Sequence, residues 1–396
     1  MSQSIVSDDT VYIHDLEAQL NARTEDYSSF PDIPKDKRSN TFSYPAKYLL
    51  LKTKLGELHD KVELEATLRS LEDAILSNIA SYDLYDRIIL LNKHGKGHVD
   101  KVIMRVSDLA KCIIVTDKNG IIANEDSLLT PFEIFILLCA IQIHDVGNMY
   151  GREEHTLSFK GDFERTAKES FISDPVLVSF IFSMARVHGG KINDNADTIE
   201  AAGLRTKSIV LEKEIRQRML AAMLRFADEL ADDSTRALEV TRMPEYSKIF
   251  HAYSKALHTV KIEQEERETT YFVKLCYYLE IREALSNYKK LEKDDTGNLN
   301  SKDVTLIQEL IKRTQKMERE RRYCSRYFLP YFLIKYISVE IVIDLGGFDG
   351  EERIVYTLEE TGYPVEEITL PQEVEDTISK LESKYGKSGG ISHEQG

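Results

Sequence analysis

No cysteine in this chain stands in a CxxC pair. Cys112, Cys139, Cys276 and Cys324 are widely spaced, and three of them lie in apolar or helical contexts. That spacing excludes the usual paired-thiolate zinc and redox motifs and leads us to expect reduced thiols in a cytoplasmic protein. Positive charge is also short. Lys and Arg number 52 against 67 Asp and Glu, a net charge of −15. Such a balance argues against tight binding to double-stranded nucleic acid, which draws its affinity from basic surface, though one local basic pocket stays compatible with it. The N-terminus, Met1-Ser2-Gln3-Ser4, has neither a basic n-region nor an apolar h-region, so no secretory signal is expected. The apolar run Phe132 to Ile143 is too short to span a bilayer, so no membrane segment is expected. The glycine-rich stretch Asp344-Leu345-Gly346-Gly347-Phe348-Asp349-Gly350 lacks the Lys-Ser/Thr end of a Walker sequence and reads as a strand-ending turn. No internal repeat is visible.

What the chain does have is room and helical periodicity. Its 396 residues, 42% of them apolar, suffice for one large or two modest domains. Residues 1–45 are polar and turn-rich and read as an N-terminal arm. Between Tyr44 and Leu91 the leucines Leu51, Leu55, Leu58, Leu64, Leu68 and Leu71 recur at helical spacing, which predicts one or two long helices. A further helix follows His94-Gly95-Lys96-Gly97-His98, and a turn is expected at Asp117-Lys118-Asn119-Gly120. Two more helices are predicted between Phe159 and His188, divided by Ser173-Asp174-Pro175, and another from Ile209 to Ala231 with Leu211, Ile215, Leu220 and Leu224 as its spine. After about residue 245 the character changes. His258–Glu263 and Thr270–Leu275 alternate as a hairpin, two helical stretches follow, the second from Lys302 to Tyr327, and strands are expected at Ser338–Asp344 and Arg353–Thr357. A short helix from Pro371 to Tyr385 leads to a Gly/Ser tail. The fold class expected is mainly α: a helical domain over 46–245, a smaller α+β portion over 246–385 and a flexible tail over 386–396. The mixed-charge run Lys312 to Arg322 reads as an exposed helix face, and Tyr323, Tyr327, Tyr331 and Phe332 as core or subunit contacts. The α+β portion is the expected surface for a partner protein or for homo-oligomer formation.

The chemistry gathers around Ala140-Ile141-Gln142-Ile143-His144-Asp145-Val146-Gly147-Asn148. Upstream, Thr130-Pro131-Phe132-Glu133 predicts a helix start, with Thr130 as N-cap, Pro131 at the first position and Glu133 closing a capping box. A nearly wholly apolar helix then ends in an adjacent imidazole and carboxylate. Burying two ionisable groups is costly unless each finds a strong partner, and a metal ion is one. His98 lies near a helix start and Asp228 within Leu224-Arg225-Phe226-Ala227-Asp228-Glu229-Leu230. Taken singly, each has a plainer reading as a hydrogen-bonded core histidine or a salt-bridged aspartate. Together, His98, His144, Asp145 and Asp228 point to a site for a divalent metal. Nitrogen and oxygen donors suit Mn, Mg, Fe, Co, Ni or Zn without selecting among them. His155 and His188 also follow predicted helices and could line the same cleft. Phosphate would need cations beside the metal, for which Lys101, Arg186, Arg225 and Arg236 are candidates by position. His94 is a candidate substrate contact.

The order His98, His144-Asp145, Asp228 resembles the defining pattern of the HD superfamily of metal-dependent phosphohydrolases over roughly residues 90–236. His144-Asp145-Val146-Gly147-Asn148 with Gly151 and His155 is similar to the signature of deoxynucleoside triphosphate triphosphohydrolases, from which Asn148 and the longer Arg152-Glu153-Glu154 approach depart. With its appended α+β portion the chain also looks like HD proteins of bacterial defence and nucleotide signalling. The resemblance implies an HD-type domain with a nucleotide substrate, a deoxynucleoside triphosphate being favoured. It also implies that Asp145 could bridge two metals and that His155 or His188 would serve as second-metal ligand or acid. A phosphodiesterase or nuclease, and a nucleotide-sensing module with little turnover, are the alternative readings.

Overall fold

The computed structural model describes residues 15–22, 43–76, 95–113, 129–150, 158–189, 197–238, 243–266, 270–293, 299–329, 331–347, 349–359, 362–364 and 368–386. The chain divides into two compact units. The first comprises residues 1–69, 94–231 and 324–333; the second comprises 70–93, 232–323 and 334–396. The fold is mainly helical, with a smaller sheet region in the C-terminal part.

In the first unit α1 (Asp15–Ala22) and α2 (Tyr44–Leu76, whose residues from Ser70 on belong to the second unit) come first, and the leucine spacing from Leu51 onward belongs to one long helix. They are followed by α3 (Lys96–Cys112), α4 (Pro131–Ile143), a 3-10 turn (Val146–Tyr150), α5 (Lys160–Glu169), α6 (Pro175–Arg186) and α7 (Thr198–Ala201). A small hairpin, β1 (Ser208–Val210) and β2 (Lys213–Ile215), leads into α8 (Gln217–Glu229). α4 is the axis of this unit. Every residue from Phe132 to Ile143 is buried, and the helix packs against α1, α3, α6 and α8. The expected capping box is present: Thr130 Oγ1 accepts from the Glu133 amide, and Glu133 Oε2 accepts from the Thr130 amide. Asp174 likewise caps α6, with Pro175 in its first turn. Counted together with the 3-10 turn, Pro131–Tyr150 is long and apolar enough to cross a membrane by length and composition, yet 94% of that window is buried inside the protein. Here it serves as a core helix.

One expectation in this unit is corrected. The helix expected from Ile209 does not open there; residues 208–215 form the β1–β2 hairpin, pairing Ser208 with Ile215 and Val210 with Lys213. Leu211 and Glu212 sit at φ +49° and +62°. A helix cannot pass through two successive left-handed residues, whereas a tight hairpin turn requires them. Leu211 and Ile209 are consequently exposed rather than part of a helical spine.

The second unit holds α9 (Lys248–Ala256), β3 (Leu257–Gln264), β4 (Tyr271–Glu280), α10 (Ile281–Ala284), β5 (Asn287–Lys293) and β6 (Leu299–Thr305). Then come α11 (Leu306–Phe328, whose last turn belongs to the first unit), β7 (Ile334–Asp344), β8 (Glu351–Leu358) and α12 (Gln372–Tyr385). The main sheet runs β3-β4-β7-β8, with β4 and β7 parallel and the outer pairs antiparallel. Alternation in β4 buries Tyr271, Val273, Leu275, Tyr277 and Leu279 on one face, as period-2 patterning demands. The strands expected at 258–263, 270–275, 338–344 and 353–357 are all present, and Gly346 and Gly347, at positive φ, make the turn after β7.

Two expectations change here. The first of the two helical stretches is replaced by the short α10 and the β5–β6 hairpin, and the long helix begins at Leu306. The lysine-rich β5 reads as helix by composition, but the pairing of Tyr288 with Val304 gives each an apolar partner across the ladder. The Lys312–Arg322 run is not a wholly exposed face either. Glu318 is fully buried and accepts from Arg321 Nε and Nη2 at 2.7 and 2.5 Å and from Arg322 Nε at 2.9 Å, an internal charge cluster at i+3 and i+4. Tyr323, Tyr327 and Phe332 are core residues.

Candidate metal centre

The centre lies where α4, α6 and α8 end and α3 begins. His144 is the C-cap of α4, and its Nδ1–H donates to the Ile141 carbonyl at 2.7 Å. His188 repeats the device two residues beyond the end of α6, donating from Nδ1 to the Ala185 carbonyl at 2.6 Å. A helix leaves its last four carbonyls without partners inside the helix, and each ring satisfies one of them three residues back. Because a carbonyl only accepts, the proton sits on Nδ1 in both rings and Nε2 carries the lone pair in the neutral form. Each apolar helix therefore ends in an imidazole whose tautomer the backbone sets.

His98, in the first turn of α3, and Asp228, in the last turn of α8, meet these groups. His98 Nε2 lies 3.3 Å from His144 Nε2, 3.1 Å from Asp228 Oδ1 and 3.4 Å from Asp145 Oδ2. His144 Nε2 is 3.5 Å from both Asp145 Oδ2 and Asp228 Oδ1. The donor atoms of His98, His144, Asp145 and Asp228 all fall within 4.8 Å of one another and could hold a metal ion. Bonds of about 2.0–2.2 Å to a divalent ion put neighbouring donors roughly 2.8–3.6 Å apart, and the five separations above fall in that span. The residues present fit a divalent ion. Two imidazoles and two carboxylates, with no thiolate, suit a borderline or hard cation.

The electrostatics agree with a cation between the groups. Burial works against charge on His144, but Asp145 first and Asp228 second overcome it and push its pKa to about 9. Burial likewise opposes charge on Asp228, and hydrogen bonds from His144 and His98 reverse that and hold its carboxyl well below the usual range. The Asp228 carboxylate is thereby held ionised, and the cluster favours positive charge at its centre.

The supports are as specific as the ligands. Asp145 Oδ1, turned away from the cluster, accepts from Asn148 Nδ2 at 2.9 Å and lies 3.4 Å from His188 Nε2. Arg105 on α3 donates from Nε to the Leu230 carbonyl at 3.2 Å, tying the helix that carries His98 to the end of the helix that carries Asp228. At the other ends of α4 and α8, Arg216 clasps Glu133 through Nε, Nη2 and its own amide at 2.9, 2.7 and 3.0 Å. Arg225 is buried and donates to Thr198 Oγ1, which in turn donates to the Val187 carbonyl beside His188. It thus braces the turn before that histidine. Lys101 stands one turn along α3 from His98, half-buried. Arg186 is also half-buried, with an enclosed Nε that has no hydrogen-bond partner. Arg236 lies in the second unit, 3.9 Å from Asp232. His155, His94 and the expected turn at 117–120 lie outside the described residues. Sequence reading missed the parts played by His59, Gln142 and Arg105; the one cue was a glutamine inside an otherwise apolar helix.

A family model described as HD-CE matches residues 79–293, more than half of the chain. The chain belongs to the HD-CE family. All four candidate ligands fall inside the matched region, so the resemblance carried by His98, His144-Asp145 and Asp228 rests on an HD-type domain that extends further than the motif itself. No curated protein and no solved structure matches the chain. Membership of the HD-CE family, with a buried His/Asp cluster able to bind a metal, suggests a metal-dependent hydrolase.

Proposed function

We propose that this HD-CE protein is a metal-dependent phosphohydrolase acting on a nucleotide, with a deoxynucleoside triphosphate as the favoured substrate. The observation that carries the proposal is the convergence of four nitrogen and oxygen donors, His98 from α3, His144 and Asp145 from the end of α4 and Asp228 from α8, on a space fit for one divalent ion. A divalent ion there would polarise a phosphoryl oxygen and lower the pKa of water. The chain's own residues do the rest. Asp145 directs one carboxylate oxygen at the cluster and the other at His188 and Asn148, so the amide and the imidazole hold its orientation. His188 is the imidazole assigned to pass a proton to a leaving oxygen. Lys101 and Arg186 are the cations assigned to the phosphates, where charge builds during transfer.

The test is a metal-supplemented screen over nucleotides and diesters with product identification. Release of nucleoside and tripolyphosphate supports the favoured substrate; monophosphates from a diester would replace it with a phosphodiesterase; tight nucleotide binding without any product would remove the hydrolase reading.

A further inference from the structure

Behind the metal centre lies a buried polar chain that the proposed chemistry does not use. Gln142 is 1% exposed and sits two residues before His144 in a helix that is otherwise apolar apart from Glu133. It is held at both backbone and side chain. Its carbonyl accepts from His59 Nε2 at 2.6 Å, and its side-chain amide donates to the Tyr48 hydroxyl at 3.0 Å. Tyr48 donates onward to Glu17 Oε1 at 2.6 Å, and Lys52 Nζ holds the same oxygen at 2.7 Å. Tyr48 and His59 are 11 residues apart on α2, close to three helical turns, so both reach α4 from one face. Each is buried to within 4%.

Buried polar groups are tolerated only when each is hydrogen-bonded, and here each link of the chain is made. What the chain accomplishes is local. Of the carbonyls that the end of α4 leaves unsatisfied, Ile141 is taken by the His144 ring and Gln142 by the His59 ring. The two bonds fix consecutive peptide planes of the turn from which His144 and Asp145 project.

Resting on the metal reading above, we propose that His59 is a positioning residue for the metal centre: through Gln142, and backed by Tyr48, it sets the direction in which His144 and Asp145 present their donor atoms. It touches neither metal nor substrate. Groups that orient ligands from behind typically change metal affinity by roughly 10- to 100-fold when removed, and that is the expected effect here.

The experiment measures Co²⁺ binding and the visible Co²⁺ spectrum on the full chain in four proteins: wild type, His59→Leu, His59→Gln and Leu51→Ala. Leu51→Ala empties a fully buried site on the same helix and leaves both hydrogen bonds to Gln142 with their donors and acceptors, and so reports what loosening α2 does by itself. The expectation is that His59→Leu binds Co²⁺ roughly 10- to 100-fold more weakly with an altered spectrum. His59→Gln, whose amide can still donate to the Gln142 carbonyl, recovers most of both, and Leu51→Ala keeps the wild-type spectrum. If His59→Leu does not fold, Tyr48→Phe decides, because it keeps the ring and removes only the hydroxyl; a shifted spectrum is expected there too. Should His59→Leu, or Tyr48→Phe in its place, match Leu51→Ala in affinity and spectrum, the positioning role is overturned while the metal site stands. A wild-type chain that binds no Co²⁺ removes the metal reading and this proposal together.

Discussion

Asp228 is the ligand with the most contact with solvent, its side chain a quarter exposed, while the histidines it meets are almost wholly enclosed. That asymmetry decides what its removal does. Asp228→Ala takes one negative charge from a cluster whose imidazoles are held by carboxylates, and it opens one face of the site. Metal content and turnover should fall together, to background in both. An Asp228→Ala protein that kept its metal and its rate would end the assignment of all four ligands. His188 should behave otherwise. It lies on the far oxygen of Asp145, so His188→Ala should keep the metal while turnover drops by roughly 10²–10⁴, the range for a lost general acid. Elemental analysis and rate measured on the same preparations separate the two roles.

At the scale of elements, the two ends of α4 do different work. Its start is locked by the Glu133–Arg216 pair, whose side chains are 2% and 8% exposed. Burial tends to raise the Glu133 pKa, but hydrogen bonds and charge from Arg216 outweigh it and leave it lowered. A carboxyl whose folded pKa is depressed contributes stability that is complete above its unfolded value and is lost as pH falls through the folded one. Glu133→Gln should therefore cost about 3–5 kcal/mol at neutral pH, as expected when one partner of a buried pair is removed. The gap to wild type should narrow as pH drops through and below the ordinary carboxylate range. Denaturant unfolding at several pH values checks this, and a gap that stays constant would show that the pair is not what stabilises the helix start. The same element shows how far the sequence could be read. Thr130, Pro131 and Glu133 announce the start of α4, and an apolar run ending in His-Asp announces its function, because caps and ligands are local patterns. The clasp from Arg216 and the bonds from His59 and Arg105 are not local. They join residues 83 to 125 apart in the chain, and no spacing rule reports them. The two hairpins were missed for a related reason: β1–β2 turns on backbone φ at Leu211 and Glu212, and β5–β6 is held by cross-strand pairing that lysine-rich composition conceals.

At the scale of the whole molecule, all four ligands and His188 belong to the first compact unit, and the main sheet belongs to the second. Metal binding should therefore be felt unevenly along the chain. A ligand that binds only the folded state stabilises it by RT ln(1 + [L]/Kd), about 2.7 kcal/mol at a hundredfold excess over Kd. That increment goes to openings that would separate the ligands. Such openings are the end of α4 from the start of α3, and the last turn of α8 from both. Amide hydrogen exchange with and without saturating divalent metal should show added protection in peptides covering residues 96–105, 138–149 and 222–231, with chelation reversing it. Peptides from β3, β4, β7 and β8 should change little, since their protection is set by openings within the sheet that break no metal contact. The thermal transition should rise with metal by the same mechanism. If protection instead rises equally in the sheet, the two units unfold as one cooperative body; if it rises nowhere in the first unit, no metal is held by His98, His144, Asp145 and Asp228. Reading the first three peptides in the Asp228→Ala protein completes the argument, because loss of the metal-dependent protection there would tie the effect to the ligand cluster rather than to metal bound elsewhere on an acidic surface.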